Sequence, residues 1–124
     1  MPSTARRSRE DYLEAILILT MRNGACRLTD IADFLHYSKP SVSVAIRKLE
    51  DEKLVERDDW RVVLTPEGKS TACATLEKHT FFRELFESIG ISPDVANEEA
   101  CQIEHVISED SFHKMVEHWS EKHS

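Results

Sequence analysis

The stretch TDIADFLHYSKPSVSVAIRKLE, residues 29–50, decides the fold, because it holds two short amphipathic segments joined by a tight turn. In the first, Ile31, Ala32, Phe34 and Leu35 recur at helical spacing behind Thr29, a residue able to cap a helix N-terminus. In the second, Val42, Ala45, Ile46 and Leu49 do the same behind Ser38, and Pro40 stands in the first turn, where its missing N–H is tolerated. His36 to Ser38 connect them. Upstream, Tyr12, Leu13, Ile16 and Leu17 predict an amphipathic helix over Arg9 to Arg22, with Ser8 as its N-cap and Asn23-Gly24 as its stop. Downstream of Leu54 the pattern changes to Val55-Glu56-Arg57, then Asp58-Asp59, then Trp60 to Leu64, a short hairpin turning at the aspartates. Three helices and then a hairpin is the order of a winged helix-turn-helix.

A recognition helix offers small polar and basic side chains to base edges and phosphates while its other face packs on the preceding helix. Ser38, Lys39, Ser41, Ser43, Arg47 and Lys48 lie off the apolar stripe, with Pro40 among them, and Arg57 and Arg61 fall on the hairpin where a wing would follow the DNA backbone. Lys and Ser are equally at home on any solvated helix, so it is the element order that lifts the DNA reading. Trp60 reads as packing at the hairpin.

Composition sets the outer bounds. The 124 residues, 40% hydrophobic and 31% charged, suit one ordinary domain or two small ones, and only three glycines and four prolines make helices the default. The longest apolar run, Ala15 to Met21, falls far short of the roughly 20 residues of a bilayer span, and no signal peptide is apparent, so a cytoplasmic protein without membrane association is expected. Cys26, Cys73 and Cys101 are odd in number and widely spaced, against a disulfide framework or a zinc ribbon. The net charge of −7 is unevenly placed: residues 1–70 carry twelve basic and twelve acidic side chains, residues 71–124 four and eleven. A nucleic-acid-binding first half therefore stays open.

Thr65-Pro66-Glu67 is a strong helix start, and a long helix is expected to run to Ile89, ended by Gly90. Ser92-Pro93-Asp94 repeats the start signal for a fifth helix reaching about Ile107, and Ser108-Glu109-Asp110 opens a sixth. Asp11 and Glu14 share one face of the first helix; Cys101, Glu104 and His105 share one face of the fifth, preceded there by Glu98; His79 lies on the stripe of Leu76, Phe82 and Phe86 in the fourth. Carboxylates, imidazoles and a thiol drawn from three helices suit a divalent transition metal better than calcium, which takes oxygen ligands. Singly, each has an ordinary use: His79 as a core histidine, Cys101 as a small hydrophobe, Asp11 and Glu14 as acids near a helix N-terminus.

Five local strings at matching separations add a resemblance. These are Ser8-Arg9-Glu10-Asp11-Tyr12-Leu13-Glu14-Ala15-Ile16, Asp30-Ile31-Ala32, Pro40-Ser41-Val42-Ser43, Leu64-Thr65-Pro66-Glu67-Gly68 and Glu99-Ala100-Cys101-Gln102-Ile103-Glu104-His105. Through them the chain resembles, almost end to end, the diphtheria-toxin-repressor type of metal-dependent transcriptional repressors, and within it the short manganese-transport-regulator branch. The resemblance implies a mainly α protein, with a winged helix-turn-helix DNA-binding domain over residues 1–70 and an all-helical metal-binding and dimerisation domain over residues 71–124. It implies a metal site of Asp11, Glu14, His79, Cys101, Glu104 and His105, and, from the chain's length, no SH3-like domain of the kind that longer iron-responsive members carry. Asp11 resembles the manganese branch, whereas Cys101 stands where that branch has glutamate and iron-responsive members have cysteine. Arg83 and Asn97 replace the acid and histidine that a second, ancillary site would need. A thiolate in the set shifts preference from manganese(II) toward iron(II), cobalt or zinc.

The function expected is therefore a homodimeric, non-enzymatic repressor that binds a roughly palindromic double-stranded DNA operator when manganese(II) or iron(II) is present, controlling metal-homeostasis genes. Two other classes stand beside it. A redox-sensing winged-helix regulator would act through Cys101 or Cys26, and a small metalloenzyme would need an open coordination position and a substrate cleft, for which six short helices and a hairpin leave little material.

Overall fold

The computed structural model describes the backbone of residues 4–123 and the side chains of residues 8–122. Its elements are α1 (Thr4–Asn23), α2 (Leu28–Leu35), α3 (Lys39–Asp51), β1 (Val55–Asp58), β2 (Arg61–Leu64), α4 (Pro66–Ser88), α5 (Pro93–Ile103) and α6 (Glu109–His123). The protein is mainly α, with a single two-stranded sheet among the described residues. Two compact units meet within α4, one ending at Ala74 and the other starting at Thr75.

In the unit ending at Ala74, α1 buries Leu13, Ile16 and Leu17, α2 buries Ile31 and Ala32, and α3 buries Val42, Ile46 and Leu49. Two expected caps are corrected. Ser8 lies inside α1, since Thr4 to Arg7 contain no helix breaker and the helix simply begins earlier. The N-cap of α2 is Arg27 rather than Thr29, because the Asp30 carboxylate takes the Arg27 backbone N–H at 3.0 Å and fixes the start two residues sooner. Ser38 does cap α3: its Oγ accepts the Ser41 N–H at 3.3 Å. His36 ends α2 in the left-handed region at φ 59°, and Tyr37 N–H reaches back to Ala32 O at 3.0 Å, which makes the turn between the helices tight.

The hairpin pairs Val55 with Leu64 through Asp58 with Arg61, so the turn residues are Asp59, at φ 61°, and Trp60. Cys26 O accepts the Val62 N–H at 2.8 Å and Arg27 bridges Arg61, giving the hairpin a short third edge from the segment before α2. Trp60, read as packing at the hairpin, is 47% exposed there and packs against the Arg27 guanidinium, 4.5 Å from its ring centre. Thr65 pins the start of α4: its Oγ1 donates to Lys53 O at 2.8 Å and accepts the Gly68 N–H at 3.1 Å. At Gly68 the helix passes so close to Leu54 that an added Cβ would lie 1.9 Å from that carbonyl oxygen.

In the unit starting at Thr75, the second half of α4 packs with α5 and α6 around Phe82, Ala100 and Phe112, flanked by Phe81, Leu85 and Phe86. Phe81 and Phe112 meet edge to face with centres 5.5 Å apart. Gly90, at φ 97°, ends the turn after α4, and Ile91 N–H returns to Phe86 O at 3.0 Å. The fifth helix stops at Ile103, short of the expected Ile107, because the Ile103 carbonyl is taken by the N–H groups of Val106 and Ile107 in a turn that leads to Ser108. Ser108 caps α6 through the Ser111 N–H at 3.1 Å. Beneath this turn lies the buried Lys78, whose Nζ reaches Ile107 O at 3.4 Å and Glu109 Oε1 at 2.5 Å. No described helix is long and apolar enough to cross a membrane.

Candidate metal centre

The core of Phe82, Ala100 and Phe112 fixes α4 against α5, and this brings His79 of α4 to Cys101 of α5 and to Glu104 at its C-terminus. His79 Nδ1 lies 3.0 Å from Glu104 Oε2 and 3.6 Å from Cys101 Sγ. One nitrogen, one oxygen and one sulfur thus stand within 4.8 Å of one another. His105 is buried beside them, its Nε2 3.4 Å from Glu104 Oε1, and the Glu104 and His105 side chains are each only 1% exposed. Glu104 is the C-cap of α5, its N–H still bonded to Ala100 O, so it stays on the side of Cys101 as the spacing predicts, and His105 follows in the turn. Glu98, placed on that stripe, is exposed.

The electrostatics ask for a cation. Glu104 Oε2 is buried and has no hydrogen bond among the described residues: the 3.0 Å approach of His79 Nδ1 is an ion-pair distance without the direction of an N–H bond. An ionised carboxylate so placed is costly unless a positive charge compensates it. The same demand appears in His79, pushed up to about 10 by its interactions with Cys101 and then Glu104, which overcome the lowering effect of burial. A proton on Nδ1 thereby fills a place suited to a metal. Imidazole, thiol and carboxylate are together the donor set of a divalent transition ion, so these residues fit such a group.

Asn97, noted in the sequence only as a departure from a histidine, meets the other ring nitrogen: its Oδ1 lies 2.9 Å from His79 Nε2. Asp11 and Glu14 lie half-buried on α1, in the other unit.

The remaining predicted residues lie around α3 and the hairpin. Ser38, Lys39, Pro40, Ser41, Arg47 and Lys48 are exposed and Ser43 is half-buried, on the side of α3 away from Val42, Ile46 and Leu49. Val44, assigned no role from the pattern, is 67% exposed on the same helix. Arg57 is exposed; Arg61 is exposed too, but its guanidinium pairs with Asp58. Cys26 is fully buried and its thiol is pushed up to about 12, chiefly by burial and further by the Asp30 charge, so it offers no reactive thiolate.

Comparison with known proteins agrees with this division. Residues 5–61 match the family model of the iron-dependent repressor N-terminal DNA-binding domain, and residues 65–121 that of the iron-dependent repressor metal-binding and dimerisation domain. The transcriptional regulator MntR of Escherichia coli is 34% identical over 104 residues, covering 83% of this chain and 67% of that protein. The MntR regulator of Listeria monocytogenes is 31% identical over 109 residues, covering 87% and 77%. Among solved structures, IdeR of T. acidophilum superposes with a TM-score of 0.77 at 33% identity over 90% of this chain and 53% of its own. The manganese regulator SloR gives 0.73 at 29% identity over 94% and 54%. The chain thus spans about half the length of these solved relatives. With both halves matched by the two models and the MntR regulators aligned across most of its length, the chain belongs to the iron-dependent, diphtheria-toxin-repressor-type family of transcriptional regulators, on the side of its MntR members.

Proposed function

We propose that the protein is a metal-dependent, DNA-binding transcriptional repressor of metal-homeostasis genes, acting as a cytoplasmic homodimer without enzymatic activity, with manganese(II) or iron(II) as corepressor. The observation that carries this reading is the buried, unbonded Glu104 Oε2 facing His79 Nδ1 and Cys101 Sγ in the part of the chain matched to a metal-binding domain. His79, Cys101, Glu104 and His105 would hold the ion, and the resemblance adds Asp11 and Glu14 of α1 to the set. Bound there, the ion would supply the positive charge that a proton on His79 otherwise provides.

Residues 1–70 are then the DNA reader and residues 71–124 the metal-binding and dimerisation part. Without a cation, Asp11, Glu14 and Glu104 would repel one another; with one, α1 is held to the metal-binding part and the spacing of two recognition helices in a dimer is fixed. Lys39, Arg47, Lys48, Arg57 and Arg61 serve phosphates, Ser38, Pro40, Ser41 and Ser43 line the approach of α3 to the major groove, and the exposed Val44 suits a thymine methyl. The operator is roughly palindromic, its half-sites about one or more 10-bp turns apart. Metal and DNA must each raise the other's affinity by the same factor.

The test is an anaerobic titration of manganese(II) and of iron(II), following fluorescence anisotropy of DNA from the promoter of a metal-uptake gene. Binding is expected to tighten with metal and to be lost in chelator. Equal affinity in chelator removes the corepressor role and leaves a constitutive DNA-binding protein.

A further inference from the structure

We propose that Asn97 is a positioning residue of the metal centre: by accepting the Nε2–H of His79 it turns the ring so that Nδ1 faces an ion shared with Cys101 and Glu104. This rests on the metal reading given above, and deepens it by naming the residue that aims a ligand without being one.

Asn97 Oδ1 and His79 Nε2 are 2.9 Å apart, a good hydrogen-bond distance. An amide oxygen only accepts, so Nε2 must carry the hydrogen. With Nε2 so engaged, Nδ1 is the ring nitrogen left to meet an ion, which would displace the proton that Nδ1 otherwise carries. That nitrogen, Nδ1, is the one that stands 3.0 Å from Glu104 Oε2 and 3.6 Å from Cys101 Sγ. Nδ1 is thereby aimed between the oxygen and the sulfur, at the place an ion shared by all three would occupy.

The placement follows from the helix. Asn97 precedes Cys101 by four residues in α5, so the two share a face, and one helix supplies both a ligand and the group that orients the ligand opposite. Asn97 is exposed and makes no part of the apolar core of Phe82, Ala100 and Phe112. Partners of this kind fix the tautomer and ring orientation of metal-binding histidines, and losing one typically weakens binding about 10–100-fold.

The experiment titrates the whole chain anaerobically with cobalt(II), whose thiolate-to-metal absorption reports Cys101 in the coordination shell, comparing wild type, Asn97→Leu and Asn97→Asp. Metal-free thermal melts of all three accompany it. Asn97→Leu is expected to bind cobalt(II) about 10–100-fold more weakly, with an unchanged metal-free melt. Asn97→Asp, whose carboxylate also only accepts, is expected to return affinity to within a few-fold of wild type. Wild-type affinity in Asn97→Leu, or an Asn97→Asp as weak as Asn97→Leu, overturns the assignment while leaving the metal centre standing. Absence of any cobalt(II) uptake by the wild-type chain overturns the metal reading and this inference with it.

Discussion

Lys78 and Glu109 form an ion pair with unequal ends, and the inequality predicts which partner matters. The lysine side chain is 4% exposed, the glutamate 58%, and they meet at 2.5 Å, with Ile107 O a second acceptor for the ammonium at 3.4 Å. Replacing Lys78 by Met keeps the stem's volume, leaves a carboxylate that water already reaches, and gives up one long hydrogen bond; a loss of about 0–1 kcal/mol is expected. Replacing Glu109 by Ala leaves the buried ammonium with a single neutral acceptor. Breaking a buried pair from one side costs about 3–5 kcal/mol, and water at the Glu109 end puts the expected loss at the lower limit, about 3 kcal/mol. Glu109 also lies in the first turn of α6 and near His113, so Asp110→Asn, in the same turn and paired with the exposed Lys114, serves to measure the combined helix-dipole and surface-pair share, about 0.5–1 kcal/mol. The assay is equilibrium urea unfolding in chelator, wild type against Lys78→Met, Glu109→Ala and Asp110→Asn. A Lys78→Met loss equal to or above that of Glu109→Ala would refute the reasoning, since it would mean that desolvation of the ammonium does not govern the pair.

Other outcomes follow from single observations. Gly68→Ala pushes a Cβ to 1.9 Å from Leu54 O and should lose about 3 kcal/mol or more in urea unfolding, whereas Gly24→Ala, with nothing within 4 Å but φ 79°, should lose only about 1–2 kcal/mol; the reverse order would contradict the packing described. Ser38→Ala removes the cap of α3 and should lose about 1 kcal/mol, recovered by Ser38→Asp, as read by the same unfolding experiment. Cys26, raised from 9.0 to about 12 in the fold, favours the folded state fully below pH 9, a contribution lost as pH climbs toward 12. Stability should therefore fall over that window by at most about 1.4 kcal/mol per pH unit more steeply than in Cys26→Ala, and superimposed profiles would refute it. Each of Lys39→Ala, Arg47→Ala and Lys48→Ala should reduce the slope of log affinity for DNA against log salt by about 1, read by anisotropy, and an unchanged slope would exclude that side chain from phosphate contact.

The parts of the fold that were legible in the sequence are those governed by local chemistry. Ser38 before Lys39-Pro40 and Thr65 before Pro66-Glu67 carry both a cap and a proline, and both helices begin where these signals stand. Ser8 and Thr29 carry only a cap-forming side chain. At Thr29 a competing acid, Asp30, captures the Arg27 N–H and starts the helix earlier; at Ser8 nothing upstream stops α1 from beginning at Thr4. The end of α5 was not legible because residues 103–107 include no glycine or proline; the Ile107 carbonyl there is instead held by Lys78, a residue 29 positions away.

The candidate site divides along the same line. His79, Cys101 and Glu104 were recognisable as metal-binding residue types, and the i, i+3 separation of Cys101 and Glu104 keeps them on one side even though Glu104 is the C-cap of α5 and not an interior residue. Asn97 was visible in the same pattern, one turn before Cys101, but its value depends on which nitrogen of His79 it meets, and that is set by the packing of α4 on α5 around Phe82 and Ala100. Ligand identity is thus a matter of residue type and spacing, whereas ligand direction is a matter of tertiary packing. A variant that shifts α4 on α5, such as Ala100→Leu, should accordingly disturb metal affinity with every ligand and Asn97 still in place; if cobalt(II) binding survives such a shift unchanged, direction is set locally and the Phe82–Ala100 contact has no part in it.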